Sequence, residues 1–360
     1  MLKVTEGNIL DTDAEAVINT VNTVGVMGKG IALQFKQAFP ENYKAYRAAC
    51  QRGDVSLGHM FVFDTGRMGP QRYIINFPTK GHWKSRSRIE DIEAGLRDLV
   101  RVIGDYGIHS IAVPALGCGN GGLRWDDVYP LIESALSPLP DVAVEVFPPA
   151  GSPDAQSMRV GTRKPRMSLG RAALVAIVQR YAELCQVEEV STVNGASLLE
   201  IQKLMYLLQS AGEPLRLKYE KAMYGPYAEN LNHVLQQLEG HYLRGYGDRT
   251  EQILKLRPLE ILPGAPDEAS QWLDEHPDET QERIDTVIDL IEGFASPYGL
   301  ELLATVHWVS TVDDPRATSD PDVACELVQQ WSQRKGRIFT RKHVGKAWEK
   351  LKHEGWLAPA

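Results

Sequence analysis

Cysteine is scarce in this chain. Cys50, Cys118, Cys185 and Cys325 are the only four in 360 residues, and no two form a Cys-x-x-Cys pair. That scarcity argues against a zinc site or a disulfide framework and fits a reducing cytoplasm. Long apolar runs are missing too. None approaches the roughly 20 residues that cross a bilayer, so no membrane partner is expected. The opening residues, Met1-Leu2-Lys3-Val4-Thr5-Glu6, lack the apolar core of a secretory signal. No metal-ligand spacing is found, and the expected reaction needs neither metal nor cofactor.

Charge of one sign is missing locally. The net charge of −8 hides a stretch, 259–331, with 17 acidic residues against Arg283 and Arg316 alone. The last 29 residues reverse this with eight basic and two acidic, while residues 1–150 are near balance at 15 basic against 17 acidic. An acidic block followed by a basic tail points to charged partners rather than to a particular fold.

Hydrophobic content of 43% and charged content of 24% are ordinary for globular chains, and the length allows two or three domains. Residues 151–166 are rich in Pro, Gly and charge without apolar periodicity, so they read as a linker. Before it, apolar runs at 16–19, 60–64, 73–77, 110–114 and 142–147 read as short buried strands. Helical patterns at 31–38, 40–49, 88–106 and 126–136 alternate with them. That alternation predicts an α/β domain over 1–150, with a mostly parallel central sheet and helices on both faces. Residues 167–360 read as mainly helical, with patterns at 168–186, 197–211, 280–294, 299–309, 323–333 and 340–355. The last helices suggest a winged-helix-like unit at about 297–358.

Two glycine-rich loops stand out. Val26-Met27-Gly28-Lys29-Gly30-Ile31-Ala32 follows the first strand pattern, and Ala115-Leu116-Gly117-Cys118-Gly119-Asn120-Gly121-Gly122-Leu123 follows the fourth. Glycines at the ends of buried strands let backbone N–H groups close around phosphate oxygens, because no Cβ blocks the approach. Between them Asn76-Phe77-Pro78-Thr79-Lys80-Gly81-His82-Trp83 carries one lysine just beyond a strand. His82 and Trp83 offer a stacking surface for a base or, equally, apolar bulk for packing.

Gly7-Asn8-Ile9, Asn19-Thr20-Val21-Asn22 and the two loops, in that order, resemble the macrodomain, an ADP-ribose-binding fold. The Lys80 segment resembles the branch containing terminal ADP-ribose glycohydrolase and, closer still, the DarG-type antitoxins of DarTG toxin–antitoxin systems. The resemblance covers residues 1–150. It implies adenine recognition at Asn8 and Ile9, with Asn8 standing where many macrodomains carry Asp, and the distal ribose at Asn22. It implies a diphosphate held on one side by Gly28, Lys29, Gly30 and Ile31. Gly117, Cys118, Gly119, Asn120, Gly121, Gly122 and Leu123 hold the other side, with Thr79 beside them. Lys80 is then catalytic, either attacking the anomeric carbon or stabilising charge on the leaving base or opened sugar. Terminal ADP-ribose glycohydrolase carries an aspartate in the second loop; the matching position here is Gly121. The resemblance therefore implies hydrolysis of ADP-ribose from thymidine in single-stranded DNA, with ADP-ribose as product. Its alternatives are an ester glycohydrolase acting on protein-linked ADP-ribose and a reader that binds without cleaving.

In the second half, Ile201-Gln202-Lys203-Leu204-Met205-Tyr206 and Met223-Tyr224-Gly225-Pro226-Tyr227-Ala228-Glu229-Asn230 resemble the C-terminal part of DarG. The implied partner is a cognate DarT-like ADP-ribosyltransferase. The acidic block suggests phosphate mimicry toward that partner's DNA groove; the basic tail, with Trp348 and Trp356, suggests operator DNA instead.

Overall fold

The computed structural model describes residues 1–249 and 258–357. The chain divides into two compact units. The first comprises Met1–Arg163 together with 247–249; the second comprises Lys164–Tyr246 and the remaining described residues.

The first unit contains β1 (Leu2–Val4), β2 (Ala16–Asn22), α1 (Ile31–Ala38), α2 (Pro40–Arg52), β3 (Phe61–Asp64), β4 (Tyr73–Lys80), α3 (Ile89–Tyr106), β5 (Ser110–Pro114), α4 (Trp125–Leu136) and β6 (Ala143–Phe147). Its six strands run β1-β6-β5-β2-β4-β3, all parallel except β3 against β4. The expected α/β class stands, with one edge strand, β1, that three residues were too few to announce.

Successive residues of a strand face opposite sides, and both faces of this sheet are apolar. Ala16, Ile18, Ile75 and Phe77 pack with Leu96, Leu99, Val128 and Ile132 of α3 and α4. Val17 and Ile74 pack with Phe35 and Phe39 on the opposite side. The continuous burial of β4 follows from this two-sided covering. The helix–sheet approach is close where Gly95 of α3 meets Phe77: a Cβ at Gly95 would lie 2.2 Å from the ring's Cζ. Gly95→Ala is expected to destabilise the first unit by about 1–3 kcal/mol through overpacking, despite alanine's better helix propensity. Thermal denaturation should show a lowered midpoint.

Of the expected linker, 151–166, residues 151–163 belong to the first unit and 164–166 to the second, and the former are tied down. Met158 is buried, the Gly161 amide donates to the Gln37 carbonyl at 2.8 Å, and Arg159 donates to the Leu10 carbonyl and to Gln71 Oε1 at 2.8 Å each. Composition reported the absence of apolar periodicity correctly, but backbone and guanidinium hydrogen bonds hold a stretch that has none.

The second unit is mainly helical: α5 (Leu169–Val187), β7 (Gly195–Ala196), α6 (Leu198–Ser210), β8 (Tyr219–Ala222), β9 (Gly225–Ala228), α7 (Leu231–Leu238), β10 (Leu243–Arg244), β11 (Leu259–Ile261), α8 (Ala265–Glu275), α9 (Thr280–Ile291), α10 (Pro297–Trp308), α11 (Pro321–Trp331), α12 (Gln333–Ile338) and α13 (Arg341–His353). Ser197 and Glu200 form a reciprocal capping box at the start of α6. On α10 the buried Glu301 carboxylate accepts from Arg334 at 2.6 and 3.0 Å and from the buried Lys335 at 2.6 Å, and those charges hold it below the usual carboxylate range against the opposing effect of burial. The helix read at 323–333 is α11, and the short α12, capped by the Ser332 hydroxyl, begins at the last residue of that reading and was not expected. From Pro297 to Leu357 the described residues contain α10–α13 and no strand to form a wing; residue 358 lies outside them.

Candidate active site

Ligands of open parallel sheets gather at the carboxyl ends of the strands, and the segments singled out in the sequence leave from there. β2 pairs with β4 from Ala16↔Tyr73 to Val21↔Pro78, and the register then slips so that Asn22 stands opposite Lys80. Strand β4 thus runs three residues further than its apolar pattern, because Pro78 and Thr79 remain buried in the sheet, and Lys80 is its last residue.

The first loop is held from beneath. Asn22 Oδ1 accepts from the amides of Val24 and Val26 at 3.1 and 3.2 Å, and its Nδ2 donates to the Val26 carbonyl at 2.6 Å. The buried Tyr46 hydroxyl donates to the Asn22 backbone carbonyl. Asn22 therefore shapes the turn that starts the loop. Below it, Asn19, Asn42 and Asn76 form a buried amide network, Nδ2 of Asn19 donating to Asn76 Oδ1 at 2.9 Å and Nδ2 of Asn76 to Asn42 Oδ1 at 2.7 Å. The buried Asn19 Oδ1 has no partner, so the stiffening such a network gives rests on its paired members, Asn76 above all.

Gly30 adopts φ +62°, which favours glycine, and ends the loop as the residue before α1. Its amide donates to the Asp248 carbonyl at 2.8 Å, and the Asp248 carboxylate accepts from Gln34 Nε2 at 2.8 Å. Asp248 is buried and belongs to the first unit, yet it lies 214 residues from Gln34 in sequence. Nothing in the local pattern around it announced this role. The next amides, of Ile31 and Ala32, donate to no protein group among the described residues. They are open donors at the positive end of a helix.

The second loop is a tight glycine coil. Gly117 has φ +71°, its carbonyl accepts from the Leu123 amide at 3.1 Å, and the Gly121 carbonyl accepts from the Ser87 amide at 3.0 Å. A Cβ on Gly121 would stand 2.3 Å from both the Gly117 carbonyl oxygen and Ser87 Oγ, so no side chain fits there. The amides of Gly119, Asn120 and Gly121 donate to no protein group among the described residues. They form the anion-receiving edge expected of such a coil.

Asn120 joins the parts. Its carbonyl accepts from Lys80 Nζ at 2.9 Å, and its Nδ2 lies 3.0 Å from where a Cβ on Gly30 would be. Lys80, the first loop and the second loop therefore meet at one residue. Partial burial lowers the Lys80 pKa from the ordinary lysine value. Cys118 sits within the same coil, but burial, reinforced by Asp127, pushes its thiol up to about 11. A thiol held protonated at neutral pH is no nucleophile.

The remaining candidates are more dispersed. Lys29 is exposed, the Thr79 hydroxyl donates to the Val21 carbonyl at 3.4 Å, and Leu123 packs beneath Gly117. Asn8 and Ile9 lie at a separate short helical turn and make no hydrogen bond to either loop among the described residues. Asn8 Oδ1 accepts from the Leu10 amide at 3.0 Å, and its buried Nδ2 has no partner, so the amide presents a donor rather than the carboxylate acceptor many macrodomains carry. Sequence reasoning also passed over Ser87, whose Oγ is buried without a partner against the second loop. Among the described residues no group of three His, Cys, Asp or Glu side chains could hold a metal ion. No described helix is long and apolar enough to cross a membrane.

Comparison with known proteins places this geometry. The Macro domain family matches residues 18–132. The chain is 44% identical over 354 residues to the DNA ADP-ribosyl glycohydrolase of Mycobacterium tuberculosis, covering 98% of this chain and 99% of that protein. It is 45% identical over 359 residues to the protein of the same name from Thermus aquaticus, covering 100% and 95%. A DNA ADP-ribosyl transferase–DNA ADP-ribosyl glycohydrolase fusion protein of Thermosipho africanus is 37% identical over 172 residues, 43% of this chain and 44% of the fusion. With likeness of this extent along nearly its whole length, the chain belongs to the DNA ADP-ribosyl glycohydrolase family, the DarG-type macrodomain hydrolases of ADP-ribose linkages.

Proposed function

We propose that the first unit hydrolyses the N-glycosidic bond between ADP-ribose and a thymidine base in single-stranded DNA, with Lys80 as the catalytic residue. The observation that carries this is the Lys80 ammonium 2.9 Å from the Asn120 carbonyl, set between two loops whose open amides suit a diphosphate. Water adds to the anomeric carbon, the bond to the base nitrogen breaks with its electron pair on the base, and a proton returns to that nitrogen. The diphosphate is met by the amides of Ile31, Gly119, Asn120 and Gly121, so affinity for ADP-ribose rests on backbone. The reaction rests on Lys80.

The ester-hydrolysing alternative fits less well, because it calls for an acid in the second loop and Gly121 has no room for one. The reader alternative is separated by one experiment. The full-length protein is incubated with ADP-ribosylated single-stranded DNA and the release of ADP-ribose is followed. Release supports the reading; bound but uncleaved DNA overturns it.

The second unit is, in this reading, the part that holds and neutralises the cognate transferase, in keeping with the fused transferase in the Thermosipho africanus relative. Much of the acidic block is paired within the unit: Glu268 with Lys164, Asp313 with Lys221, Asp314 with Arg316, Asp322 with Arg341. Asp267, Asp274, Glu275 and Glu282 are exposed and carry no ion pair among the described residues, so they are among the acids available to a basic groove. Reversing these four to lysine is expected to weaken binding of the transferase at least tenfold and to flatten its salt dependence. Calorimetry across a salt series checks this, and unchanged affinity would sink the phosphate-mimicry account.

A further inference from the structure

The nine residues Lys80 to Arg88 carry four cations, Lys80, Lys84, Arg86 and Arg88, and no carboxylate. They connect β4 to α3 and are pinned at both ends to the loops of the site. The Gly81 carbonyl accepts from the Thr23 amide at 3.2 Å and from its hydroxyl at 2.8 Å. At the other end the Ser87 amide is bonded to the Gly121 carbonyl at 3.0 Å. Between the pins the chain turns tightly: the Ser85 amide donates to the His82 carbonyl at 2.9 Å, and the Lys84 amide to His82 Nδ1 at 3.2 Å.

The turn projects its side chains outward. His82, Trp83, Lys84, Ser85, Arg86 and Arg88 are all exposed, and Trp83 keeps 48% of its surface accessible. Apolar bulk for the core, one of the two roles open to Trp83 from sequence, is thereby excluded. The His82 ring lies 5.4 Å from the indole, and Lys84 Nζ sits 4.9 Å from an indole ring centroid. Lys84, Arg86 and Arg88 form no ion pair among the described residues. An exposed indole among unneutralised cations, next to the residue assigned to catalysis, is a stacking platform inside a positive field. Single-stranded nucleic acid is bound by that combination, since every base has a π-face and every nucleotide a phosphate. The adenine and diphosphate of ADP-ribose are already met, in the proposed reading, at Asn8 and Ile9 and at the amides of the two glycine loops, which leaves this surface to the strand.

We propose that the 81–88 loop receives the DNA strand flanking the modified base, with a neighbouring base stacked on Trp83 and backbone phosphates met by Lys84, Arg86 and Arg88. This rests on the reading of single-stranded DNA as substrate and adds to it the surface that distinguishes a strand from a lone nucleoside. Stacking tolerates any base, so the loop confers preference for a strand over a nucleoside rather than for a sequence.

The test compares two substrates, an ADP-ribosylated single-stranded oligonucleotide and ADP-ribosylated thymidine, with the full-length protein. The unmodified protein should favour the oligonucleotide in kcat/KM. Trp83→Ala should lose on the order of 10- to 100-fold on the oligonucleotide, mostly in KM, and change little on the nucleoside. Replacing Lys84, Arg86 and Arg88 together by glutamine should reduce the slope of log KM against log salt by about two, near 0.7 for each phosphate left without its cation. Equal effects on both substrates, or none on either, would overturn the platform while leaving the DNA reading intact. Failure of the unmodified protein to cleave either substrate, with ADP-ribose still bound, would overturn both.

Discussion

Replacing Lys80 by alanine is expected to lower kcat for release of ADP-ribose from single-stranded DNA by about 10²–10³-fold, the range lost with one preorganised charge-stabilising group. Affinity for free ADP-ribose should move by no more than a few-fold, because on the proposed reading the diphosphate is met by backbone amides that the substitution leaves in place. The split between kcat and binding is the informative part. A variant that neither binds nor cleaves would mean that Lys80 holds the loops together through Asn120 rather than acting on the substrate.

The pH profile then separates the two roles open to this lysine. Burial disfavours the ammonium and lowers its pKa. If neutral Lys80 attacks the anomeric carbon, kcat rises with pH through that lowered pKa. If charged Lys80 stabilises the leaving base, activity is present below the pKa and is lost as pH rises through it. Lys80→Arg, permanently charged at these pH values, abolishes the first mechanism and retains part of the second. The hydrogen bond from Nζ to a carbonyl rather than to a base is an arrangement the charged form uses well.

The sheet and its helices were legible because burial on two faces imposes apolar runs that no loop shares. The 110–114 run is β5 to the residue, and 31–38 is α1. The place of Lys80 was legible through its neighbours, although its strand extends three residues beyond the apolar pattern because Pro78 and Lys80 still pair with Val21 and Asn22, with Thr79 the extra residue where the register slips. What periodicity could not show was anything held by single polar contacts over long separations. Asp248 closes on the first loop through one carbonyl and one carboxylate, and neither leaves a local signature. Residues 151–163 looked like a tether for the same reason. The small strands β7–β11 of the second unit, two to four residues each, are too short for alternation to emerge, and α12, six residues begun by the Ser332 cap, is too short for a helical period to show.

Gly121→Asp tests why this site has no second-loop acid, and its expected result is loss rather than gain. If the missing carboxylate were merely absent, restoring it would give activity on ADP-ribose esters of proteins. The coil leaves no such room: the first atom of any side chain would lie 2.3 Å from the Gly117 carbonyl oxygen and 2.3 Å from Ser87 Oγ. Both neighbours are fixed, one as acceptor for the Leu123 amide and the other on a residue whose amide is bonded to Gly121 itself. The aspartate must therefore push the loop outward, at about 1–3 kcal/mol of overpacking, and displace the open amides and the Asn120 carbonyl that receives Lys80. A shift near 1 Å in groups placed around a reacting centre costs on the order of 10²-fold in rate. Release from DNA should fall by at least that factor, ester hydrolysis should not appear, and Gly121→Ala should do nearly the same damage without any charge. If the alanine variant is close to the unmodified enzyme while the aspartate variant gains ester hydrolysis, the space at Gly121 is available after all, and the preference for a base-linked substrate has to be sought elsewhere in the pocket.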